Sequence, residues 1–443
     1  MSSIAATPVT HRSVLTIAVP IMLSNVTEPL IGVVNTAVVG QLPDPYYIGA
    51  IAVGGLIFAF IFWGFGFLRL STGGLSAQAK GAGDTVELVA VLWRALAIAL
   101  AAGVALIVLS PLIERFALSL IGGSEQVREH GATYFRYRIW SAPAALVNFC
   151  VMGWFIGQGR TVVTLIVQIF LNVTNMALSM LFVLKLGMTS DGVGLAAVIA
   201  EWSAAALGLF VAWRAIVALG ARPDARRVFD GARIRQTLGA NRDIMIRTVC
   251  LVFAFAWFTS RGARAGDLTV AANAVLLQFF EVSAYLIDGF AFASEALVGQ
   301  AVGARDKPRF WRAIKLTSLW ALVVGALCSL LIWLTGPWFI DLMTVNPEVR
   351  ETAREYLPWA AAAPFLGTVC FQFDGIFVGA MATRDMRNMM IVSLAIYLAS
   401  WWLLAPAFGN HGLWAALNIF FVARGITFAS RLPSIERQAF QSV

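Results

Sequence analysis

Charge is what this sequence lacks. Only 13% of its 443 residues are Asp, Glu, Lys or Arg, where a soluble domain carries roughly 25%. So few charges cannot cover a water-exposed surface of this size, and a soluble globular fold is excluded. Cysteine is also scarce. The four present, Cys150, Cys250, Cys328 and Cys370, sit inside apolar stretches and form no CxxC pair, so neither a disulfide frame nor a metal site is expected. No GK[ST] ends a glycine-rich loop, HExxH is missing, and no GxGD follows either of the Asp-Gly pairs Asp288-Gly289 and Asp374-Gly375. Nucleotide-driven transport, zinc proteolysis and intramembrane aspartyl proteolysis lose their signatures with them. The N-terminus shows no basic n-region and no A-x-A site, so the first apolar run reads as an uncleaved span.

What is abundant is apolar length. Hydrophobic residues make up 59% of the chain, with 31 Phe and 15 Trp, and mean hydropathy is +0.79. A spanning helix needs about 20 mostly apolar residues. That rule gives twelve spans, near 13–40, 48–70, 88–112, 132–157, 160–184, 192–217, 242–263, 268–297, 312–336, 352–380, 386–408 and 411–430. The fold class is therefore an all-α polytopic membrane protein. The net charge of +8 does not point to nucleic acid, because the basic residues lie in short clusters between spans. Counted side by side, those clusters put twenty Lys and Arg on one face, with Arg424, Arg431 and Arg437 assigned to the C-terminal tail, and nine on the other. This places both termini in the cytoplasm of a cell (inner or plasma) membrane.

The halves repeat. GLSAQAKGAGD (74–84) matches ALVGQAVGARD (296–306), and MGWFIG (152–157) matches DGIFVG (374–379). Gln78 with Gln300, Gly153 with Gly375 and Gly157 with Gly379 are all 222 residues apart, and Pro143 with Pro364 is 221 apart. Half the chain separates them, so each half carries six spans in the same direction. The expectation is two pseudo-symmetric six-helix lobes, 1–217 and 242–443, joined by a cytoplasmic linker 218–241. Parallel repeats about an axis along the membrane normal are a transporter architecture. The Gly-x-x-x-Gly pairs Gly153/Gly157 and Gly375/Gly379 read as close helix packing.

The strings NVTEPLIGVVNTAVVGQL (25–42), LRLSTGGLSAQAKGAGD (68–84), RDIMIRT (242–248), YLIDGFAFASEALVGQAVGARD (285–306), FDGIFVGAMATRDMRNMM (373–390) and GNHGLWAAL (409–417) resemble the DinF branch of the MATE (multidrug and toxic compound extrusion) transporters. The resemblance covers nearly the whole chain. It implies two lobes that open alternately. It also implies export of small organic, often cationic or amphipathic, compounds in exchange for H⁺ or Na⁺, with no other cofactor. The partners it implies are a small-molecule substrate and the lipid bilayer; no obligatory protein partner is inferred. The alternatives are a flippase for a lipid-linked precursor and an uncoupled or non-transporting relative. Few mid-span basic residues argue against the flippase. An enzyme is not expected, and no residue is assigned as catalytic.

Coupling needs a buried ionisable group, and the sequence departs from the family where one is expected. A motif resembling VDTAV carries Asn35 in place of the first family Asp, and NVTNMALS supplies Asn172 and Asn175 but Ser179 in place of the second. Neither Asn35 nor Ser179 takes up a proton in the physiological range. The candidates for cation coupling are then Glu28, two turns before Asn35 and followed by Pro29, and the C-half acids Asp288, Glu295 and Asp374. Glu281, Asp288 and Glu295 are spaced by seven and share a face of the eighth span. Glu201 and Glu281, with Asn35, Asn172, Asn175 and Ser179, complete a candidate polar cavity. For each acid the competing role is structural pairing between helices, for Asp374 with Arg247. Trp63, Trp154, Trp257, Tyr285, Phe371, Phe373 and Met386 either stack on a hydrophobic cation or pack in the core.

Overall fold

Thr10 and Ser13 cap the first helix reciprocally, each backbone amide donating to the other's hydroxyl at 2.9 and 3.2 Å, which satisfies amides that the helix start leaves open. From there the chain is helix after helix. The computed structural model describes residues 8–121 and 124–440, the side chains of Glu28, Leu120 and Ile121 excepted. Among the described residues eleven helices are long and apolar enough to cross a membrane. They are α1 (His11–Val39), α2 (Tyr46–Gly81), α3 (Thr85–Val108), α4 (Glu125–Gly157), α5 (Thr161–Lys185), α6 (Ser190–Ala218), α7 (Gly231–Arg264), α8 (Asp267–Gly303), α9 (Lys307–Met343), α10 (Pro347–Gly379) and a last run, Thr383–Phe440. That run contains Gly409 at φ +54 and is two helices, α11 over 383–408 and α12 over 410–440. The twelve expected spans are all present in a multi-pass, all-helical membrane protein.

The chain forms two compact units, one of Met1–Met22 with Gly239–Val443 and one of Leu23–Leu238. The first unit takes the beginning of α1 because that turn packs on it. Gly289 of α8 lies against Ala18 and Met22, where no Cβ would fit, and Trp320 of α9 donates to His11 at 3.1 Å. Its core gathers Phe258, Leu276, Tyr397, Trp414, Phe420 and Phe421. In the second unit Trp154 is fully buried and its indole donates to the Leu88 carbonyl at 2.8 Å.

The 222-residue repeat holds down to single atoms. A Cβ on Gly153 would meet the Arg69 carbonyl, and one on Gly375 the Ala291 carbonyl. A Cβ on Gly157 would meet the Gly73 carbonyl and the Ala77 amide; one on Gly379 would meet the Glu295 carbonyl and the Gly299 amide. All three contacted positions shift by the same 222. Asp84 caps α3 through the Glu87 amide at 2.9 Å and Asp306 caps α9 through the Arg309 amide at 3.0 Å. Even left-handed backbone recurs: Gly83 with Arg305, Gly159 with Met381, and Gly187 with Gly409. The glycine pairs thus do bring backbones together, as read from the sequence. Gln78 and Gln300 each accept from the amide four residues on, in the last turns of α2 and α8.

Two features differ from the sequence reading. Half of the 218–241 segment is not a free connection, because α7 begins at Gly231. The rest is tied down by Arg94, a buried base on α3 that donates to the carbonyls of Arg227 at 2.9 Å and Val228 at 3.2 Å and pairs with Glu87; Arg233 joins Glu87 at 2.8 Å. The other correction is Arg424. It is not a tail residue; it is fully buried within α12. Removing it from the cytoplasmic count leaves the sign of the charge asymmetry unchanged.

Candidate functional site

Each unit holds a buried polar cluster, and the two are chemically unlike. In the Leu23–Leu238 unit the cluster stands on α1 and α5. Thr164, Gln168, Asn172, Asn175 and Ser179 follow each other at steps of three or four along α5, which places them on one face. Asn172 accepts from Gln168 at 2.9 Å and donates to the Thr27 hydroxyl of α1 at 2.8 Å. Asn35 donates to Asn175 at 3.5 Å, the long end of hydrogen bonding. The Asn35 carbonyl oxygen and the hydroxyls of Ser179 and Thr164 are buried with no partner among the described residues. Unfilled acceptors of this kind are costly in an apolar interior. A π-helical turn at 181–185 begins two residues after Ser179. The structure therefore brings Asn35, Asn172, Asn175 and Ser179 together. Glu28 lies outside the described residues as far as its side chain goes. Glu201 belongs elsewhere: it accepts from Asn148 of α4 at 2.7 Å, a partner the sequence reading missed.

In the other unit the cluster is ionic. Asp374 of α10 lies between two guanidiniums. Arg424 of α12 donates to Oδ2 at 2.7 Å, and Arg247 of α7 donates to the same oxygen. Oδ1 of Asp374, Nε of Arg247, and Nε and Nη1 of Arg424 are buried without partners among the described residues. Asp288 of α8 lies within electrostatic range of Arg424. The Arg424 guanidinium also faces the rings of Phe420 and Phe371, 5.5 and 5.8 Å from their centroids.

Arg424 was missed because a single Arg in the run IFFVARG does not interrupt an apolar window. The signal lay in its position, inside a span rather than past it. With two buried cations against Asp374, a coupling cation reaching this carboxylate competes with the arginines for its charge.

The three acids of α8 share a face by spacing but not an environment. Glu281 is exposed, Asp288 half-buried and Glu295 buried. Glu295 lies where α8 meets α10, with Gly379 against its backbone. Among the described residues no cluster of His, Cys, Asp and Glu is arranged to hold a metal ion. Of the aromatics singled out, Trp154 is core, Phe371 and Phe373 pack on core rings, and Trp63 is exposed.

With this geometry in view, the likenesses to known proteins are direct. The MatE family model matches residues 20–181 and 244–402, one block in each half. The chain is 38% identical over 417 residues to DNA damage-inducible protein F of Escherichia coli (strain K12), covering 94% of this chain and 90% of the relative. Among solved structures, a MATE protein in the bent conformation superposes with a TM-score of 0.88 at 18% identity, over 97% of this chain and 96% of that one. The Vibrio cholerae MATE transporter VcmN in the bent form gives 0.86 at 19%, over 97% and 98%. At those identities the structures attest the fold alone; the family rests on the matched sequence. It is a family of transporters and not of enzymes. The chain belongs to the MATE (MatE) family, in its DinF branch.

Proposed function

We propose that this protein is a secondary active antiporter that exports small organic, often cationic or amphipathic, compounds in exchange for H⁺ or Na⁺. The observation that carries the reading is the set of acids within the C-terminal spans, Asp374 and Glu295 buried and Asp288 half-buried, in a MATE-family chain whose α1 and α5 positions are the uncharged Asn35 and Ser179. An ionisable group within a span is a functional candidate by default, and its neutralisation biases one conformation over another. Coupling then resides in the C-terminal acids or in Glu28. Relatives named as probable multidrug resistance protein NorM, such as that of Idiomarina loihiensis at 23% identity, support the substrate class. The lobes 1–217 and 242–443 would alternate access about the 218–241 linker, with both termini cytoplasmic. Arg247 and Arg424 are engaged by Asp374, which disfavours a site for a lipid-linked anion.

The test is purified protein in liposomes with ethidium, under an imposed pH gradient and, separately, an imposed Na⁺ gradient. Accumulation against the dye gradient under one of them supports antiport. Equilibration that ignores both gradients refutes coupling and favours an uncoupled facilitator, the reading that Asn35 and Ser179 support.

A further inference from the structure

The positions of the α1/α5 polar cluster have counterparts in the other half, 222 residues on. Asn35 corresponds to Trp257 and Ser179 to Trp401. The two indoles meet edge to face, centroids 5.0 Å apart at 89°. In the corner they form lies the guanidinium of Arg261, 3.9 Å from the Trp257 centroid and 4.7 Å from that of Trp401. Arg261 makes no ion pair among the described residues, and its Nε is buried with no hydrogen-bond partner. A half-buried cation is ordinarily held by a carboxylate. This one is held by ring faces.

We propose that Trp257 and Trp401 form a binding site for a delocalised organic cation, and that Arg261 is its intramolecular occupant, displaced when the ligand enters. Ring quadrupoles attract positive charge without needing N–H donors, so the corner suits quaternary phosphonium or ammonium ions, which cannot hydrogen-bond. Both rings are held by packing against the core of the unit and stay in place when the guanidinium leaves. The Trp257 indole N–H has no partner among the described residues, leaving one donor for a polar group on the ligand. The repeat supplies an independent reason. The same place on the same fold carries the buried amides in one half, and here it carries an aromatic corner already filled by a cation. As a step in export the site rests on the antiport reading; as a binding site it does not.

The experiment is equilibrium binding of tritiated tetraphenylphosphonium to the purified full-length protein. A self-ligand reduces apparent affinity by the fraction of molecules it occupies. Arg261→Ala should therefore tighten tetraphenylphosphonium binding by about tenfold. Trp257→Ala and Trp401→Ala should weaken it by a comparable factor, and Trp401→Phe by less. Arg261→Ala keeps both rings, so it decides the matter even where a tryptophan variant fails to fold. Unchanged or weaker binding by Arg261→Ala overturns the proposal. So does displacement of the probe from Arg261→Ala by tetraphenylborate, equal in shape and opposite in charge, as effectively as by unlabelled phosphonium. Gradient-driven ethidium transport, measured in parallel, keeps the two readings apart. Tight phosphonium binding without transport refutes antiport and leaves the site standing, whereas transport with binding insensitive to all four substitutions refutes the site.

Discussion

Asp374→Asn should destabilise the protein more than Arg424→Met does, although both remove one partner of the same ion pair. Arg424 is fully buried and Arg247 nearly so, with side-chain exposures of 0% and 11%, and both donate to one carboxylate oxygen. Asp374→Asn keeps the shape and deletes the charge, leaving two buried guanidiniums with no anion between them. Stranding a buried charge costs about 3–5 kcal/mol. Arg424→Met replaces the base with an apolar chain of similar length. It leaves the Arg247–Asp374 pair intact, and its cost should stay near 1–2 kcal/mol. The double variant Asp374→Asn/Arg424→Met should recover part of the loss, since only Arg247 is then unpaired. For a domain of about 200 residues, 1 kcal/mol moves Tm by about 2–4 °C. The separation between the single variants should thus be several degrees. Thermal unfolding in detergent at one fixed scan rate, followed by intrinsic fluorescence, reads the order even where unfolding is irreversible. If Arg424→Met is the less stable of the two, or Asp374→Asn unfolds with the unaltered protein, the charge-network reasoning is wrong.

Gly157→Ala and Gly379→Ala should each cost about 1–3 kcal/mol by overpacking, because the new Cβ meets backbone atoms of the facing helix. Gly239→Ala, with open space around it on α7, should instead stabilise by up to about 1 kcal/mol; equal effects in a thermal-unfolding series would refute the packing argument. Met381 sits at φ +55 where its repeat partner is Gly159, so Met381→Gly should raise stability by roughly 0.5–1 kcal/mol, and a lower Tm would contradict this. Neutralising the coupling acid should abolish gradient-driven ethidium transport in liposomes while leaving ethidium binding measurable. Glu28→Gln, Asp288→Asn, Glu295→Gln and Asp374→Asn are the four to compare, and retention of coupled transport by all four would place the coupling site elsewhere. A cysteine introduced at Pro223 should be labelled by an impermeant maleimide only from the cytoplasmic side; labelling in intact cells would reverse the orientation.

Spans and repeat were legible because both are one-dimensional. A bilayer imposes a fixed apolar length, and a duplicated fold keeps its glycine contacts and caps in register. Asp84 and Asp306, or Gly157 and Gly379, carry the same duty in each half and so keep the same letters. Arg424 and Arg94 were not legible for the same reason: hydropathy averages over a window, and one buried cation among apolar neighbours barely moves the average. Pairing also depends on which helices become neighbours. Asn148 with Glu201, and Asp374 with Arg424, are 53 and 50 residues apart and meet only once α4 has packed on α6 and α10 on α12. The seven-residue spacing of Glu281, Asp288 and Glu295 fixed their common face. It did not fix that α8 passes from an exposed stretch into a packed seam along that face, which gives the three acids different surroundings.

The repeat also separates what the fold requires from what function has been free to change. Positions that govern backbone approach are conserved across the halves: Gly153 and Gly157 against Gly375 and Gly379, and the aspartate caps. The polar interiors are not. Asn35, Asn175 and Ser179 correspond to Trp257, Tyr397 and Trp401, and Asp374 corresponds to Met152. Were these residues only filling space in a duplicated scaffold, similar side chains would satisfy both copies, because the facing backbones are arranged alike. Instead one half buries neutral amides with unfilled acceptors, and the other buries an arginine–aspartate cluster and an aromatic corner holding a cation. Buried polar groups without full pairing lower stability, so folding alone does not explain why each half keeps its own set. Each set is built by its own helices: α1 and α5 for the amides, α7, α10 and α12 for the arginine–aspartate cluster, and α7 with α11 for the aromatic corner.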